Sequence, residues 1–398
     1  MSAPLPEKVP HIYLVAGEES GDRLGAALIG ALKRATGGKV RFSGIGGAQM
    51  AAEDVPSLFP LGDLAIIGFA AIIGSLPKIL ARIREAADAV IAAKPDLVVI
   101  IDSPEFTHRV AKRVRAKAPH IPIVDYVCPS VWAWRPGRAR AMRAYVDRVL
   151  ALLPFEPGAM QRLGGPKTVF VGHPLGERAS LLRPNAEEAV RRRNEPPLVL
   201  VLPGSRSGEV RRMAPVFGQA LGQVAGRRGP LDVVVPAVPR LADVVRAAVA
   251  AWPVPARVVT DPSKKDAAFR AARAALTKSG TSTLELAVAG IPMVAAYQVS
   301  LTEEVVARLL IKVESAILTN LVLGENVVPE LLQRACTPES LADALLPLLA
   351  DTPERRRQVD AFAGLDAIME IGRAVPSDRA AAEVLACMAA LTTENVIE

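Results

Sequence analysis

The stretch LVLVLPGSRSGEV, residues 198–210, places five branched apolar residues directly before a loop rich in glycine and serine. An unbroken apolar run of this kind is typical of a strand covered on both faces, as in a parallel sheet. A helix-period segment follows, so the loop Leu202–Glu209 is predicted to join a strand to a helix. Similar pairs recur along the chain, which indicates an α/β fold.

The apolar runs form two series, separated by a polar, proline-bounded stretch at residues 183–197. The predicted strands are His11–Ala16, Leu97–Ile101, Ile121–Val127, Arg148–Leu153 and Thr168–Val171, then Leu198–Leu202, Leu231–Val235, Ala256–Val259, Ala274–Thr277 and Pro292–Ala296. We therefore expect two tandem doubly wound units with a ligand-binding cleft between them. The expected domains are residues 1–185 and 186–375, with a C-terminal helix at 376–398 that returns to the first.

The composition fits a globular protein: 51% of the 398 residues are hydrophobic, enough for two domains of ordinary size. The three cysteines, Cys128, Cys336 and Cys387, are far apart and argue against a disulfide framework. The sequence shows no signal-peptide pattern and no apolar run long enough to span a bilayer, so we expect a cytoplasmic protein. A net charge of +7 favours an anionic partner: nucleic acid, a lipid headgroup or a phosphorylated substrate.

The loop Ala16–Asp22 follows the first predicted strand, and Ser20 or Asp22 could cap the next helix. Its acids suit a sugar or another hydroxyl-bearing ligand better than a phosphate, although a simple turn and cap would also explain it. The segment Gly44–Gly47 fails the dinucleotide-binding pattern GxGxxG, and no strand-then-helix arrangement is predicted around it. We expect only a close approach of its backbone to the cleft.

Asp102 directly follows the run Leu97–Ile101, where a carboxylate would face the cleft and could act as a general base. It could equally be the N-cap of the next helix. Trp132 and Trp134 are two of the three tryptophans in the chain. Their faces could stack on sugar rings, and we expect one of the two to serve core packing instead. His173, alone after a later strand, is more typical of a structural histidine.

Two strand-to-helix loops of the second series predict an anion site. In Leu202–Glu209, free N–H groups at the helix start and the Arg206 guanidinium suit a diphosphate. In Ser279–Glu285, Glu285 lies one turn into the next helix, where it could hold ribose hydroxyls. The alternative interpretation is two ordinary helix caps.

A metal site has little support, because the four histidines are scattered and neither HExxH nor DxD occurs. The uncharged stretch at residues 64–77 is too short to span a bilayer and is followed by Lys78, Arg82 and Arg84. It could be a buried core helix, or it could lie in the membrane interface with the basic residues on headgroups.

Together these loops resemble the motifs of the lipid-A-disaccharide synthase family, in the same order. The matching segments are Ala16–Asp22, Gly44–Gly47, Asp102–Phe106, Pro129–Trp134, Leu153–Glu156, Val171–Pro174, Pro203–Glu209 and Ser279–Glu285. The resemblance implies a GT-B fold with an N-terminal acceptor and membrane-facing domain and a C-terminal UDP-sugar donor domain. It implies inverting transfer of 2,3-diacylglucosamine from UDP-2,3-diacylglucosamine to 2,3-diacylglucosamine 1-phosphate (lipid X), giving the disaccharide 1-phosphate and UDP.

The same resemblance implies catalytic roles for Asp102, as the general base, for Arg206, which would hold the donor diphosphate, and for Glu18. Acceptor binding is expected from Ser20, Trp132 and Trp134. Donor binding is expected from Gly204, Ser205, Arg206, Glu209, Ser279, Gly280, Thr281, Glu285 and Asn320. The family needs no metal or cofactor. Expected partners are the two lipid substrates and the inner face of the bacterial cytoplasmic membrane, with a homodimer as an option and no nucleic acid.

The chain departs from the family pattern at Thr107, Cys128 and Gln298, where Asn, Ser and Arg are expected. The third departure removes a phosphate contact that the donor could use. Two other UDP-sugar classes of the same fold remain open, the peptidoglycan N-acetylglucosaminyltransferase and the 2-epimerases. A membrane-peripheral nucleotide-sugar binding protein without turnover also remains open, and it would not need Asp102. The tryptophan motif and the apolar stretch favour the lipid enzyme.

Overall fold

The computed structural model describes residues 9–64, 69–299, 315 and 317–394. The chain divides into two compact units, one formed by residues 1–174 together with 373–398 and the other by residues 175–372. Each unit contains a six-stranded sheet in which every described strand pair is parallel. The predicted α/β class is therefore confirmed.

The N-terminal unit has the strand order β2-β1-β3-β4-β5-β6. Its strands are β1 His11–Ala16, β2 Arg41–Ile45, β3 Leu97–Ile101, β4 Ile123–Tyr126, β5 Arg148–Ala151 and β6 Lys167–Phe170. Its helices are α1 Glu19–Ala35, α2 Ala48–Ala52, α3 Phe69–Ala93, α4 Pro104–Lys117, α5 Gly137–Met142, α6 Glu156–Arg162 and, from the end of the chain, α17 Pro376–Glu394; Leu61–Asp63 forms a 3₁₀ turn.

The unbroken apolar run of β3 exists because both faces of its sheet are covered. Side chains alternate along a strand, so Val98 and Ile100 pack with α3 and α4, whereas Val99 and Ile101 pack with α1 and α17. All five β3 residues are fully buried. Burial on two faces demands apolar side chains at every position, which is the pattern read from the sequence.

Helix α17 completes one face of the N-terminal unit although it comes last in the chain. Its residues Ala380, Ala381, Val384 and Cys387 join the cluster around β1. Two ion pairs anchor it: Asp378, near its start, pairs with Arg34 of α1, and Glu383, near its middle, pairs with Arg148 of β5 at 2.8 Å.

The second unit has the strand order β12-β11-β10-β7-β8-β9. Its strands are β7 Leu198–Leu202, β8 Asp232–Pro236, β9 Ala256–Val259, β10 Ala274–Lys278, β11 Met293–Tyr297 and β12 Glu330–Leu332. Its described helices are α7 Leu175–Leu182, α8 Ala186–Arg191, α9 Ser207–Arg228, α10 Ala242–Val249, α11 Pro262–Ala271, α12 Ser282–Val288, α13 Leu318–Leu323, α14 Pro338–Leu345, α15 Pro353–Ala363 and α16 Leu365–Met369, with 3₁₀ turns at Pro239–Leu241, Gln333–Ala335 and Leu346–Leu349.

Each sheet reverses its strand order at one point. In the N-terminal unit the order reverses between β1 and β3, and in the second unit between β7 and β10. Ligands of doubly wound sheets bind outside the carboxyl ends of the two strands at such a switch point. We therefore expect each unit to bind its ligand at the loops that follow these strands, β1 and β3 in the N-terminal unit and β7 and β10 in the second.

Two strands, β2 and β12, were not predicted from the sequence. Both are edge strands with an exposed end: β2 begins with exposed Arg41, and β12 ends with exposed Leu332. The prediction that Gly44–Gly47 lacks a strand-then-helix setting is wrong, because this segment links β2 to α2.

Most of the apolar stretch at residues 64–77 lies outside the residues that the structure describes. Residues 65–68 are not described, and the side chains of residues 69–76 are not described either. Beyond it, Lys78 and Arg82 both form ion pairs with Asp63. The two basic residues thus have a partner within the N-terminal unit. Among the helices that the structure describes, none is both long enough and apolar enough to cross a membrane.

Candidate functional site

The switch point of the N-terminal unit brings the loops after β1 and β3 into direct contact. A side chain on Gly17 would collide with Ser103, because its Cβ would lie 2.6 Å from both Cβ and Oγ of that residue. Asp102 and Ser103 have left-handed backbone φ angles of +53° and +47°. Non-glycine residues in this region are uncommon and mark strained backbone at functional sites.

The Asp102 carboxylate is held by two donors at this contact. Its Oδ2 accepts a hydrogen bond of 2.7 Å from Ser20 Oγ, and its Oδ1 accepts one of 2.8 Å from the Ser103 N–H. The side chain is half-buried and lines a cavity of about 220 Å³ together with Ser130, Trp134 and Arg138. The sequence placed Asp102 and Ser20 on separate loops, and the structure brings them together.

The prediction that Ser20 or Asp22 caps α1 is wrong. Glu18 occupies the N-cap position of α1, without a side-chain capping bond, and its side chain is exposed. Ser20 instead donates to Asp102. Asp22 lies buried in the first turn of α1, and its carboxylate accepts hydrogen bonds from N–H groups at the start of α2.

Asp22 fixes the glycine-rich loop that begins α2. Its carboxylate accepts hydrogen bonds from the N–H groups of Gly47, Gln49 and Met50 at 2.6, 3.0 and 3.0 Å. A Cβ on Gly47 would lie 2.7 Å from the carboxylate, so glycine is required for this approach. The loop Gly44–Gly47 is thereby explained by a contact within the N-terminal unit.

The two tryptophans have different surroundings. The Trp132 indole N–H donates to Glu156 Oε1 at 3.3 Å, and its ring packs edge-on against Phe155. Trp134 lines the cavity beside Asp102, and the Arg135 guanidinium lies 4.5 Å from its ring centroid. Trp132 is therefore held by contacts within the unit, whereas Trp134 lines the cavity.

Glu156 is buried beneath Trp132. Its Oε2 accepts hydrogen bonds from the N–H groups of Leu152 and Leu153 at 3.1 and 3.0 Å. Burial raises the pKa of this carboxyl to about 7, and the hydrogen bonds oppose that shift only in part. Glu156 therefore titrates close to neutral pH.

A buried polar row, which the sequence analysis missed, lies next to Asp102. His108 Nε2 is 3.1 Å from Asp125 Oδ2, and His108 Nδ1 is 3.1 Å from the Tyr145 hydroxyl. Burial raises the pKa of Asp125. The negative charge of Asp102 adds to this rise, and His108 opposes it. The signal in the sequence was a lone aspartate inside the apolar run of β4.

In the second unit, Glu209 organises the loop after β7. Its carboxylate accepts hydrogen bonds from the N–H groups of Ser205 and Arg206 at 3.0 and 3.3 Å. Two of the N–H groups just before the helix are therefore already occupied by Glu209. Gly204, at φ +129°, permits the arrangement, because a Cβ there would lie 2.5 Å from Glu209 Oε2.

Lys278, a residue that the sequence analysis missed, joins this loop to the end of β10. Its ammonium group is 3.2 Å from Glu209 Oε1 and 4.6 Å from the Tyr297 ring centroid. Burial of Glu209 would raise its pKa, but Lys278, the Ser205 N–H and Arg206 outweigh burial and lower it. The Arg206 side chain is 77% exposed, so it is accessible to a ligand.

The loop after β10 holds the remaining predicted donor residues. Gly280 has φ +154°, and the Ser279 N–H donates to the sheet at Ala296 O, 2.9 Å away. Thr281 is exposed. Glu285 is half-buried between two cations, with Lys265 Nζ at 3.5 Å and Arg178 at 3.9 Å.

Asn320 and Gln298 have contacts within the second unit. The Asn320 amide is buried and bonds the backbone of Val327 and Val328 at 2.9 to 3.1 Å. The amide of Gln298 donates to Cys336 O at 2.8 Å. Within the described ranges, no three His, Cys, Asp or Glu residues are grouped so that they could hold a metal ion.

Comparison with known proteins gives consistent matches along the chain. The family model described as lipid-A-disaccharide synthetase matches residues 12–383. The lipid-A-disaccharide synthase of Nitrobacter hamburgensis is 59% identical over 377 residues, which cover 95% of each protein. That of Rhodospirillum centenum is 44% identical over 378 residues, 94% of each.

Solved structures with the same fold are more distant in sequence. The UDP-GlcNAc 2-epimerase from Neisseria meningitidis, bound to UDP-GlcNAc, superposes with a TM-score of 0.61 at 12% identity, covering 94% of this chain and 99% of that one. MurG from Acinetobacter baumannii gives a TM-score of 0.54 at 16% identity, covering 92% and 100%. At these identities the likeness shows the fold alone, which is GT-B.

Proposed function

The chain belongs to the lipid-A-disaccharide synthase family, a UDP-sugar glycosyltransferase family of lipid A biosynthesis, and we propose that it joins two acylated glucosamine units. The donor is UDP-2,3-diacylglucosamine and the acceptor is 2,3-diacylglucosamine 1-phosphate. The products are the β(1→6)-linked disaccharide 1-phosphate and UDP. The observation that carries this proposal is the carboxylate of Asp102, held at the switch point of the N-terminal unit by Ser20 and Ser103.

Asp102 is the general base in this proposal. Inversion at the anomeric carbon needs one displacement, in which the acceptor hydroxyl loses its proton as it attacks. The hydrogen bonds from Ser20 and Ser103 fix the carboxylate, and each oxygen keeps lone pairs for the hydroxyl proton. The left-handed backbone of Asp102 and Ser103 supports a functional role, because such strain persists where the surroundings enforce it. Trp134, beside Asp102 in the cavity, offers a ring face to the acceptor sugar.

Arg206 binds the donor diphosphate in this proposal. Its exposed guanidinium can form paired hydrogen bonds to phosphate oxygens and can stabilise the charge on the departing UDP. Glu209 and Lys278 act by shaping the loop, since Glu209 holds its N–H groups and Lys278 holds Glu209. Glu285 keeps carboxylate lone pairs for ribose hydroxyls beside Lys265 and Arg178.

The rival functions are less well supported. The 2-epimerase and MurG share the fold with this chain at 12% and 16% identity, whereas the family match extends over residues 12–383. A binding protein without turnover would not need a general base at the position of Asp102. We therefore favour the disaccharide synthase over these three alternatives.

We further propose that the protein works at the inner face of the cytoplasmic membrane. Acyl chains on both substrates require a route from the bilayer, and the net charge of +7 favours an anionic lipid surface. The uncharged residues 64–77 and exposed Arg84 remain candidates for this contact.

The test is a mass-spectrometric assay with the purified full-length protein, UDP-2,3-diacylglucosamine and lipid X. Appearance of the disaccharide 1-phosphate and UDP is expected. The matched control offers UDP-N-acetylglucosamine as donor, with either lipid X or no acceptor. Transfer from this donor, or its epimerisation, in place of transfer from the diacylated donor would refute the proposal.

A further inference from the structure

A strongly basic cavity lies beside the Asp102 cavity in the N-terminal unit. Its volume is about 400 Å³, and its walls come from α4, from α5 and from the segment between β4 and α5. Four cationic side chains line it: Arg109, Lys112, Arg135 and Arg138. Its polar floor contains His108 and Tyr145 of the buried row.

A single acid on the cavity wall does not balance these cations. Glu105 is the only carboxylate among the lining residues; it forms an ion pair with Arg138, and Arg135 and Arg109 lie farther away at 3.7 and 3.8 Å. The Lys112 ammonium lies 5.0 Å from the Tyr145 ring centroid. Four cations against one carboxylate leave three positive charges in excess, and Arg135 and Arg109 are about half exposed.

We propose that this cavity is the subsite for the phosphate monoester of the acceptor. The inference rests on the proposed function and deepens it. A monoester dianion offers three oxygens, which separate guanidinium and ammonium donors can bind at once. The diphosphate of the donor is assigned to Arg206, so the acceptor phosphate is the remaining anionic group of the two substrates.

The position of the cavity fits the chemistry of that acceptor. Pro104 and Arg138 line both this cavity and the one that contains Asp102. In a hexopyranose, the carbon that bears the reacting hydroxymethyl group and the anomeric carbon both adjoin the ring oxygen. A phosphate on the anomeric oxygen therefore lies within one sugar ring of the hydroxyl that Asp102 would deprotonate.

The test pairs a double variant with a change in the acceptor. Arg109→Gln with Lys112→Gln removes two cations that do not line the Asp102 cavity. Arg140→Gln is the control, because Arg140 is exposed on α5 and does not line the basic cavity. Each protein is assayed with lipid X and with the same diacylglucosamine carrying a methyl group on the anomeric oxygen.

We expect the double variant to raise KM for lipid X by about 100-fold, about tenfold for each lost contact, with KM for the donor unchanged. Its kcat/KM for the methyl glycoside should equal that of the parent. The control should match the parent on both acceptors. Equal loss on both acceptors, or none on either, would overturn the proposal.

Two further measurements separate the other outcomes. Calorimetry with glucosamine 1-phosphate should detect binding to the parent that the double variant lacks, and this result does not depend on turnover. If the parent transfers to neither acceptor, the proposed function fails while calorimetry still reports on the cavity.

Sedimentation with phosphatidylglycerol and with phosphatidylcholine vesicles tests a lipid headgroup as the ligand. Loss of phosphatidylglycerol binding in the double variant, with the preference for lipid X intact, would overturn the assignment to the acceptor.

Discussion

Replacing Glu156 by glutamine should change how the stability of the N-terminal unit depends on pH. A carboxyl group whose pKa is raised by folding stabilises the fold below its unfolded pKa of 4.5, and this contribution is lost as pH rises to about 7. At 1.36 kcal/mol per pKa unit, a rise from 4.5 to about 7 corresponds to about 3 kcal/mol. Glutamine does not titrate, so the variant lacks this loss.

His173 acts in the opposite sense in the same unit. Burial lowers its pKa from 6.5 to about 4, so its folded form stays neutral while the unfolded chain binds a proton. The fold therefore loses stability as pH falls from 6.5 to about 4. Because the two slopes oppose each other, the parent should show little net change from this pair, and Glu156→Gln should expose the slope of His173.

The assay is urea unfolding at a series of pH values, followed by tryptophan fluorescence. A Trp252→Phe background leaves Trp132 and Trp134, which both lie in the N-terminal unit, as the reporters. Between pH 4.5 and about 8, the free energy of unfolding of the Glu156→Gln variant should rise by about 3 kcal/mol relative to the parent. Glutamine has one acceptor oxygen where glutamate has two, so the hydrogen bond from Trp132 or those from Leu152 and Leu153 are lost, which adds an offset that is the same at every pH.

Glu19→Gln, which removes an exposed carboxylate from α1, is the matched control and should run parallel to the parent. Parallel curves for the parent and Glu156→Gln would refute the reasoning, because the carboxyl would then titrate alike in the folded and unfolded chain.

Other predictions concern turnover and binding. Asp102→Asn should lower kcat by about 10²–10⁴ and leave UDP affinity unchanged by calorimetry; near-parental turnover would exclude a general base. Arg206→Ala should weaken UDP binding by roughly 1.5–3 kcal/mol, while Arg211→Ala, an exposed control on the same helix, should not. Activity should survive EDTA, and a loss that Mg²⁺ restores would contradict the proposed mechanism. Sedimentation with anionic vesicles should weaken as salt rises, and insensitivity to salt would argue against a basic membrane contact.

Most strands could be predicted from the sequence because buried strands consist largely of apolar residues. β1, β3, β7 and β9 have the predicted bounds. The missed strand β2 lies at a sheet edge, and its exposed and partly buried residues do not form an apolar run. Apolar patterning found the edge strand β9 as well as the covered strands, and it missed β2, where Arg41 and Ser43 interrupt the apolar pattern.

The sequence identified the loops of the site but did not show which of their residues contact each other. Ser20 and Asp102 both stood out in the sequence, yet their hydrogen bond spans 82 positions. Asp22 was one of two candidates, with Ser20, for the cap of its own helix, but its carboxylate accepts a hydrogen bond from Gly47, 25 positions away. Glu209 was predicted to contact the donor, and the sequence did not show that its carboxylate also accepts hydrogen bonds from the Ser205 and Arg206 N–H groups of its own loop. Local propensity cannot report such pairings, because they depend on which strands the fold places side by side.

Helix α17 also bears on the synthesis of the chain. Part of one face of the first sheet, beside the part that α1 covers, stays uncovered until α17 leaves the ribosome, after about 200 residues of the second unit have been translated. At 5–20 residues per second, that delay is roughly 10–40 s. During this interval Leu14, Val99 and their neighbours on that face offer an apolar surface to chaperones and to other nascent chains. A truncation at the C-terminus would make this exposure permanent and would damage the N-terminal unit, whose sheet ends some 200 residues earlier.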